Sequence, residues 1–191
     1  MRLVSALALL TAAAGLGAAA PPPSASVLFS AQNSLAVSCS NHAKRASLVR
    51  KSMVEQLAPC TAAIETEPLS NRQLAATYVN RGVILLHAAM VSDAKVDFDR
   101  AIALDGGIGE AYVNRGATLV AMHQDAAALV DIDHGLALGA EEPEHAYFNR
   151  GLALENLGDL RGAYESYSKA AELRPDWADP KVELARFTVG R

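Results

Sequence analysis

Aromatic side chains are scarce in this chain. Phe, Trp and Tyr together make up 5 % of its 191 residues, and there is one Trp. The 51 % hydrophobic share therefore rests on alanine and aliphatic residues, a composition suited to close helix–helix packing because Ala has the best helix propensity and lets backbones approach. Positive charge is not in excess either. Lys and Arg number 17 against 21 Asp and Glu, the formal net charge is -4, and Lys44, Arg45, Arg50 and Lys51 form the only notable basic group. The basic face of a nucleic-acid binder is missing.

Reactive chemistry is sparse as well. The five histidines (His42, His87, His123, His134 and His145) are scattered without the spacing of a zinc helix. Asp97-x-Asp99 followed by Asp105-Gly106-Gly107 lacks the offsets of a calcium loop, and Gly106-Gly107-Ile108-Gly109 lacks the Gly-Lys-Ser/Thr of a phosphate loop. No metal, no cofactor and no catalytic residue is expected, and the chain reads as a non-enzyme.

The first twenty residues have the form of a secretory signal: Arg2, an apolar stretch from Leu3 to Leu10, small residues to Ala20, then Pro21-Pro22-Pro23. Cleavage is expected after Ala19, with a second candidate at Ser24-Ala25-Ser26. The competing reading is an uncleaved anchor. Export implies a periplasmic or secreted protein with no membrane insertion once the leader is removed. In an oxidising compartment Cys39 and Cys60 can pair, contributing roughly 3 kcal/mol. The alternative is two buried thiols. A straight helix over 42–57 opposes the bridge, since it would hold its ends roughly 24 Å apart.

The strongest feature is internal repetition. Tyr78-Val79-Asn80-Arg81-Gly82 recurs as Tyr112-Val113-Asn114-Arg115-Gly116 and as Tyr147-Phe148-Asn149-Arg150-Gly151, at spacings of 34 and 35 residues. Leu85, Leu119 and Leu154 follow each glycine. Further on come Ala94, Ala128 and Ala163, then Phe98, Ile132 and Tyr167, then Ala101, Gly135 and Ala170. The last copy closes on Pro175.

This pattern resembles the tetratricopeptide repeat. The resemblance covers about residues 75–177, most closely in the third copy with its Asn156-Leu157-Gly158-Asp159 turn. It implies an all-α fold: a right-handed superhelix of antiparallel helix pairs, with repeats at 75–108, 109–143 and 144–177. Residues 178–191, opened by Asp179-Pro180, are expected to form a capping helix. Residues 41–70 read as a degenerate helical pair in which Ala46, Val49, Met53 and Leu57 recur at helical spacing and Pro59 breaks or restarts the helix. Residues 21–40 read as a flexible tether.

The same resemblance implies a partner protein bound on a concave face lined by first helices. The helical wheel places Val79, Asn80, Val83 and His87 there, with Glu110, Val113, Asn114 and Ala117, and Phe148, Asn149, Leu152 and Asn156. Asparagine offers a donor and an acceptor, so a line of three suits the backbone of a neutral or apolar peptide or helix from an envelope protein. The competing readings are that the asparagines only tie helices together, or that the chain's own N-terminal segment fills the groove. The clamp that grips acidic chaperone tails requires Lys or Arg on this face, and none is present. The alternative function is structural self-association, with the groove incidental. Arg81, Arg115 and Arg150 are expected to pair with acids of second helices.

Overall fold

The computed structural model describes residues 34–46 and 52–187, and these form helices without strands. In chain order they are α1 (Leu35–Ala43), α2 (Met53–Thr66), α3 (Asn71–His87), α4 (Val91–Leu104), α5 (Gly109–Ala121), α6 (Asp125–Ala137), α7 (Pro143–Asn156), α8 (Leu160–Leu173) and α9 (Ala178–Phe187).

Local chemistry sets many of the ends. Ser52 and Ser70 each form a capping box, with Glu55 and Gln73 respectively, which satisfies helix-start donors that have no partner within the helix. The turns inside the repeats close in one way. Met90, Gln124 and Asp159 donate their backbone N–H to the carbonyls of Leu85, Leu119 and Leu154, with a left-handed residue just before them. That residue is Ala89 (φ 59°), His123 (φ 57°) or Gly158 (φ +85°).

Each pair packs through a glycine. A Cβ on Gly82 would lie 2.6 Å from the Phe98 ring, on Gly116 2.5 Å from Ile132, and on Gly151 2.5 Å from the Tyr167 ring. Phe98, Ile132 and Tyr167 are fully buried, as are Ala94, Ala128 and Ala163 beside them. The pairs α3–α4, α5–α6 and α7–α8 then stack, each second helix packing on the next first helix. First helices also touch one another in succession, α1 on α3, α3 on α5 and α5 on α7, with no comparable contact between successive second helices. The first helices therefore line the inner side.

The N-terminal region departs from the sequence-based expectation in three ways. The stretch read as a tether is helical from Leu35, because Ser34 caps it and Ala36, Cys39, Ser40 and Ala43 form one buried stripe at helical spacing. No straight helix spans 42–57: α1 ends at Ala43 and α2 starts at Met53. Pro59 interrupts nothing and sits inside α2, where burial of Cys60 and Ala63 outweighs the single backbone bond a proline removes. The two helices pack on each other and on α3 as a pair. A disulfide joins Cys39 to Cys60 with Cα atoms 4.6 Å apart. The late start of α2 makes this geometry available, since the chain doubles back between the two cysteines. Val49, residues 1–20 (read from the sequence as a leader) and residues 21–33 lie outside the described residues, as does the end of the 178–191 cap beyond Phe187. No described helix is long and apolar enough to cross a membrane.

At the other end Trp177 packs edge-on against His145 (5.0 Å between ring centres) and tilted on Phe148 (4.9 Å). Phe187 meets Tyr164 and Tyr167. Arg186 holds α9 to α7 through Glu155 at 2.6 Å and also bonds Glu183. Asp179 accepts from the Trp177 indole N–H at 3.1 Å.

Candidate functional site

Three first helices, α3, α5 and α7, each carry an asparagine two residues before the seam glycine. Two residues turn the helix by roughly 200°, so Asn80, Asn114 and Asn149 face away from the partner helices. Ala76, Glu110 and His145 sit one turn earlier, and His87, Ala121 and Asn156 two turns later.

Of the twelve side chains expected to line an open groove, ten are buried: Val79, Asn80, Val83, Glu110, Val113, Asn114, Ala117, Phe148, Asn149 and Leu152. His87 is half-buried and Asn156 exposed. A wheel drawn on one helix cannot show the neighbour beside it. Val79, Val83, Val113, Phe148 and Leu152 lie within the two hydrophobic clusters, and Phe148 touches both Tyr167 and Trp177.

The polar members have separate roles. Glu110 accepts the backbone N–H of Glu141 at 2.8 Å, tying α5 to the loop before α7. Asn156 donates to Asp125 at 2.9 Å, tying α7 to α6. Asn80 is wholly buried with neither amide atom partnered, and the Asn149 carbonyl oxygen is also unpartnered. His87 Nε2 has no partner, and burial holds its imidazole below the usual histidine range. At the rim, a cavity of about 310 Å³ opens between the starts of α3 and α5, bounded by Ser70, Gln73, Ala76, Gly109, Glu110 and Gly139.

The arginines stand apart from this line and form a ladder. Arg81 makes two parallel bonds to Asp97 (2.7 and 2.8 Å) and reaches back to Thr61 at 3.4 Å. Arg115 makes the same paired bonds to Asp131 (2.6 and 2.8 Å) and reaches back to Asp99 at 2.8 Å. Arg150 finds Ser166 in its own pair at 3.0 Å and Asp133 in the pair before at 2.8 Å. Bonding to Asp97 and to Asp131 raises the pKa of Arg81 and of Arg115. The Asp99 carboxyl is pushed up by burial, but the bonds from Lys95 and Arg115 outweigh this and leave it below the usual carboxylate range. Each arginine thus joins its own second helix to the preceding one. The backward half of this link carries no motif: its offset is 20 residues for Arg81, 16 for Arg115 and 17 for Arg150.

The two sulfurs are held in the bridge, and no described cysteine is free. Among the described residues no group of three or more His, Cys, Asp or Glu is placed to hold a metal ion.

Residues 144–177 match the tetratricopeptide repeat family. No curated protein sequence matches the chain. Among solved structures the chain is similar to the tetratricopeptide domain of Arabidopsis OM64, at 22% identity and TM-score 0.59, over 63% of this chain and 99% of that one. It is also similar to the first such domain of Spaghetti (RPAP3) bound to the HSP90 peptide SRMEEVD, at 22% identity and TM-score 0.57, over 61% and 92%. The ArsTM double mutant of MamA RS-1 matches at 24% identity and TM-score 0.61, over 83% and 86%. With a matched repeat at 144–177, two further copies before it and the stacking of their helix pairs, the described helices have the tetratricopeptide-repeat fold.

Proposed function

We propose that this protein is a non-enzymatic interaction module, working in the periplasm or outside the cell. It holds an extended segment or helix of another protein along the inner face of α3, α5 and α7. One observation carries the reading: Asn80 is buried with both its donor and its acceptor unused. Leaving such groups unpaired costs on the order of 1–3 kcal/mol each. An asparagine that only tied helices together would have spent them on a neighbour. A peptide backbone laid across the line offers the N–H and C=O that complete this amide, and the free Asn149 oxygen extends the same demand to α7.

The ligand is neutral or apolar. The line contains no Lys or Arg, and Glu110 would oppose an acidic tail such as the peptide held by the Spaghetti domain. The test compares capture of envelope proteins by the native chain and by a folded Asn80→Ala, Asn114→Ala, Asn149→Ala variant, followed by binding of the purified partner. Loss of at least about tenfold in affinity supports the reading, since two or three backbone bonds are at stake. Retained affinity assigns the partner to another surface.

A second reading, self-association through the outer side, draws on Val96 and Val130. They occupy the same place in successive second helices and are 46% and 70% exposed. A native mass of one chain at working concentration excludes it.

A further inference from the structure

The three arginines of the ladder are not equally filled. In the first two copies the residue 16 positions after the arginine is an aspartate on the paired second helix. Arg81 holds Asp97 through Nε and Nη2 at 2.7 and 2.8 Å, and Arg115 holds Asp131 in the same way at 2.6 and 2.8 Å. In the third copy that offset falls on Ser166, which is buried and accepts one bond, from Nη1 of Arg150 at 3.0 Å. Nε of Arg150 donates instead to Asp133 of the copy before, at 2.8 Å. Nη2, which meets the second carboxylate oxygen in the other copies, makes no hydrogen bond among the described residues.

A cavity of about 440 Å³ lies at this place, between α6 and α8. Its wall holds Asp133, Leu136, Tyr147, Arg150, Glu165 and Ser166. Arg81 and Arg115 lie over the rings of Tyr78 and Tyr112, at 5.4 and 5.5 Å. Arg150 makes no such contact with Tyr147 among the described residues, and the Tyr147 hydroxyl bonds to none of them. Two donors of the wall, Arg150 Nη2 and this hydroxyl, are therefore unused.

The surrounding charges admit one more anion of low charge. Glu165 is already paired with Arg161 at 2.9 Å. Asp133 is held by Arg150 and its side chain is 53% exposed, so water screens it. Arg115 shows that one guanidinium of this ladder holds two carboxylates at once, Asp131 and Asp99. A planar guanidinium matches a carboxylate in geometry. A phosphate would bring more charge toward Asp133 and Glu165 and meet more repulsion.

We propose that the cavity between α6 and α8 binds a carboxylate, seated on Arg150 as Asp97 and Asp131 are seated on Arg81 and Arg115, with Tyr147 as a second donor. The carboxylate belongs to a small organic acid or to an Asp or Glu side chain of a partner protein. The site is built on second helices, apart from the asparagine line, and it stands or falls independently of the reading of the inner face.

The test titrates the full chain with acetate at constant ionic strength, against a chloride control, and follows the arginine Nε–H signals by NMR. A saturable shift at Arg150, absent at Arg81 and Arg115, is expected with a midpoint of about 1–10 mM. Ser166→Asp supplies a carboxylate from the chain itself, so it should lose the response, while Ser166→Ala should keep it. No saturable response in the native chain, or an undiminished one in Ser166→Asp, overturns the proposal. If Ser166→Asp does not fold, Arg150→Gln replaces it, and an acetate response that persists at the Tyr147 backbone amide overturns the proposal. A capped peptide with a single Asp, beside its Asn counterpart, separates the two sources. Binding of the Asp peptide at least about tenfold tighter than acetate assigns the site to a partner's side chain. Binding no tighter than acetate assigns it to a small acid, and equal binding of the Asp and Asn peptides at this site overturns the proposal.

Discussion

Arg115 reaches out of its own repeat to Asp99 of the repeat before, Nη1 to Oδ1 at 2.8 Å, while its other two nitrogens hold Asp131. One guanidinium thereby sets the spacing of α4, α5 and α6. Its planar fork suits this, since a lysine ammonium cannot make the parallel pair and the third bond in fixed directions.

Removing that fork should cost stability in proportion to what is left buried. Arg115→Ala leaves the nearly buried Asp131 carboxylate without its cation, and a loss of about 2–4 kcal/mol is expected in urea unfolding. Arg150→Ala leaves a neutral serine and a solvated Asp133, so its loss should stay below about 1 kcal/mol. Equal losses at the two positions would mean that the ladder is not what the mutations report.

The seam glycines should resist even a methyl group. Gly116→Ala meets Ile132 at 2.5 Å and the Ala128 carbonyl at 3.1 Å, and backbone cannot swing aside. The expected cost is about 1–3 kcal/mol after the gain in helix propensity. Thermal unfolding of Gly116→Ala beside an Ala substitution at exposed Ala-compatible helix sites provides the comparison.

The turns offer the opposite opportunity. Ala89 and His123 hold left-handed backbone where the third repeat has Gly158. Ala89→Gly and His123→Gly should each stabilise the chain by about 0.5–1 kcal/mol, because a Cβ is strained there. Chemical denaturation midpoints at constant slope measure this. A loss at both sites would show that these side chains do more than occupy a turn.

Breaking the Cys39–Cys60 bridge should loosen α1 more than the repeats. The bridge spans 21 residues, and its loss is expected to cost about 3 kcal/mol. Hydrogen exchange in reductant should accelerate first in α1 and α2, whose core shares Cys39, Ala43 and Cys60 with Val79 and Val83. Uniform acceleration through α7 and α8 would show that the N-terminal pair is not a separate layer of stability.

His87 should make the fold pH-dependent. Burial depresses its pKa from the ordinary 6.5, so the unfolded chain takes up a proton that the folded one refuses. Its stabilising contribution is complete above pH 6.5 and is lost as pH falls below that value toward the folded pKa. Between pH 7.5 and 5 the native chain should lose more melting temperature than His87→Leu does. Parallel curves for the two would rule out this histidine as the source.

Much of the fold was legible because its cause is periodic. Tyr78, Gly82 and Leu85 recur at 34 and 35 residues, and each recurrence marks a backbone approach that only a small residue permits. The forward half of the arginine ladder was legible from the acids on second helices. The N-terminal pair was not: Pro59 reads as a break in isolation, and only the burial of Cys60 and Ala63 against α1 and α3 keeps α2 continuous. The inner face was half legible. The wheel found Asn80, Asn114 and Asn149, but it displayed Val83, Ala117 and Leu152 on an open face because it contains one helix and no neighbours.

By itself the sequence determined that this protein is a helical repeat. Propensity, turn residues and seam glycines are properties of near neighbours in the chain, and they repeat with it. The tertiary structure alone decided which side chains are buried between repeats, how Arg115 reaches Asp99, and that Asn80 is left unpartnered. Those outcomes depend on the stacking of one pair on the next, and that stacking is a sum of contacts no single repeat contains.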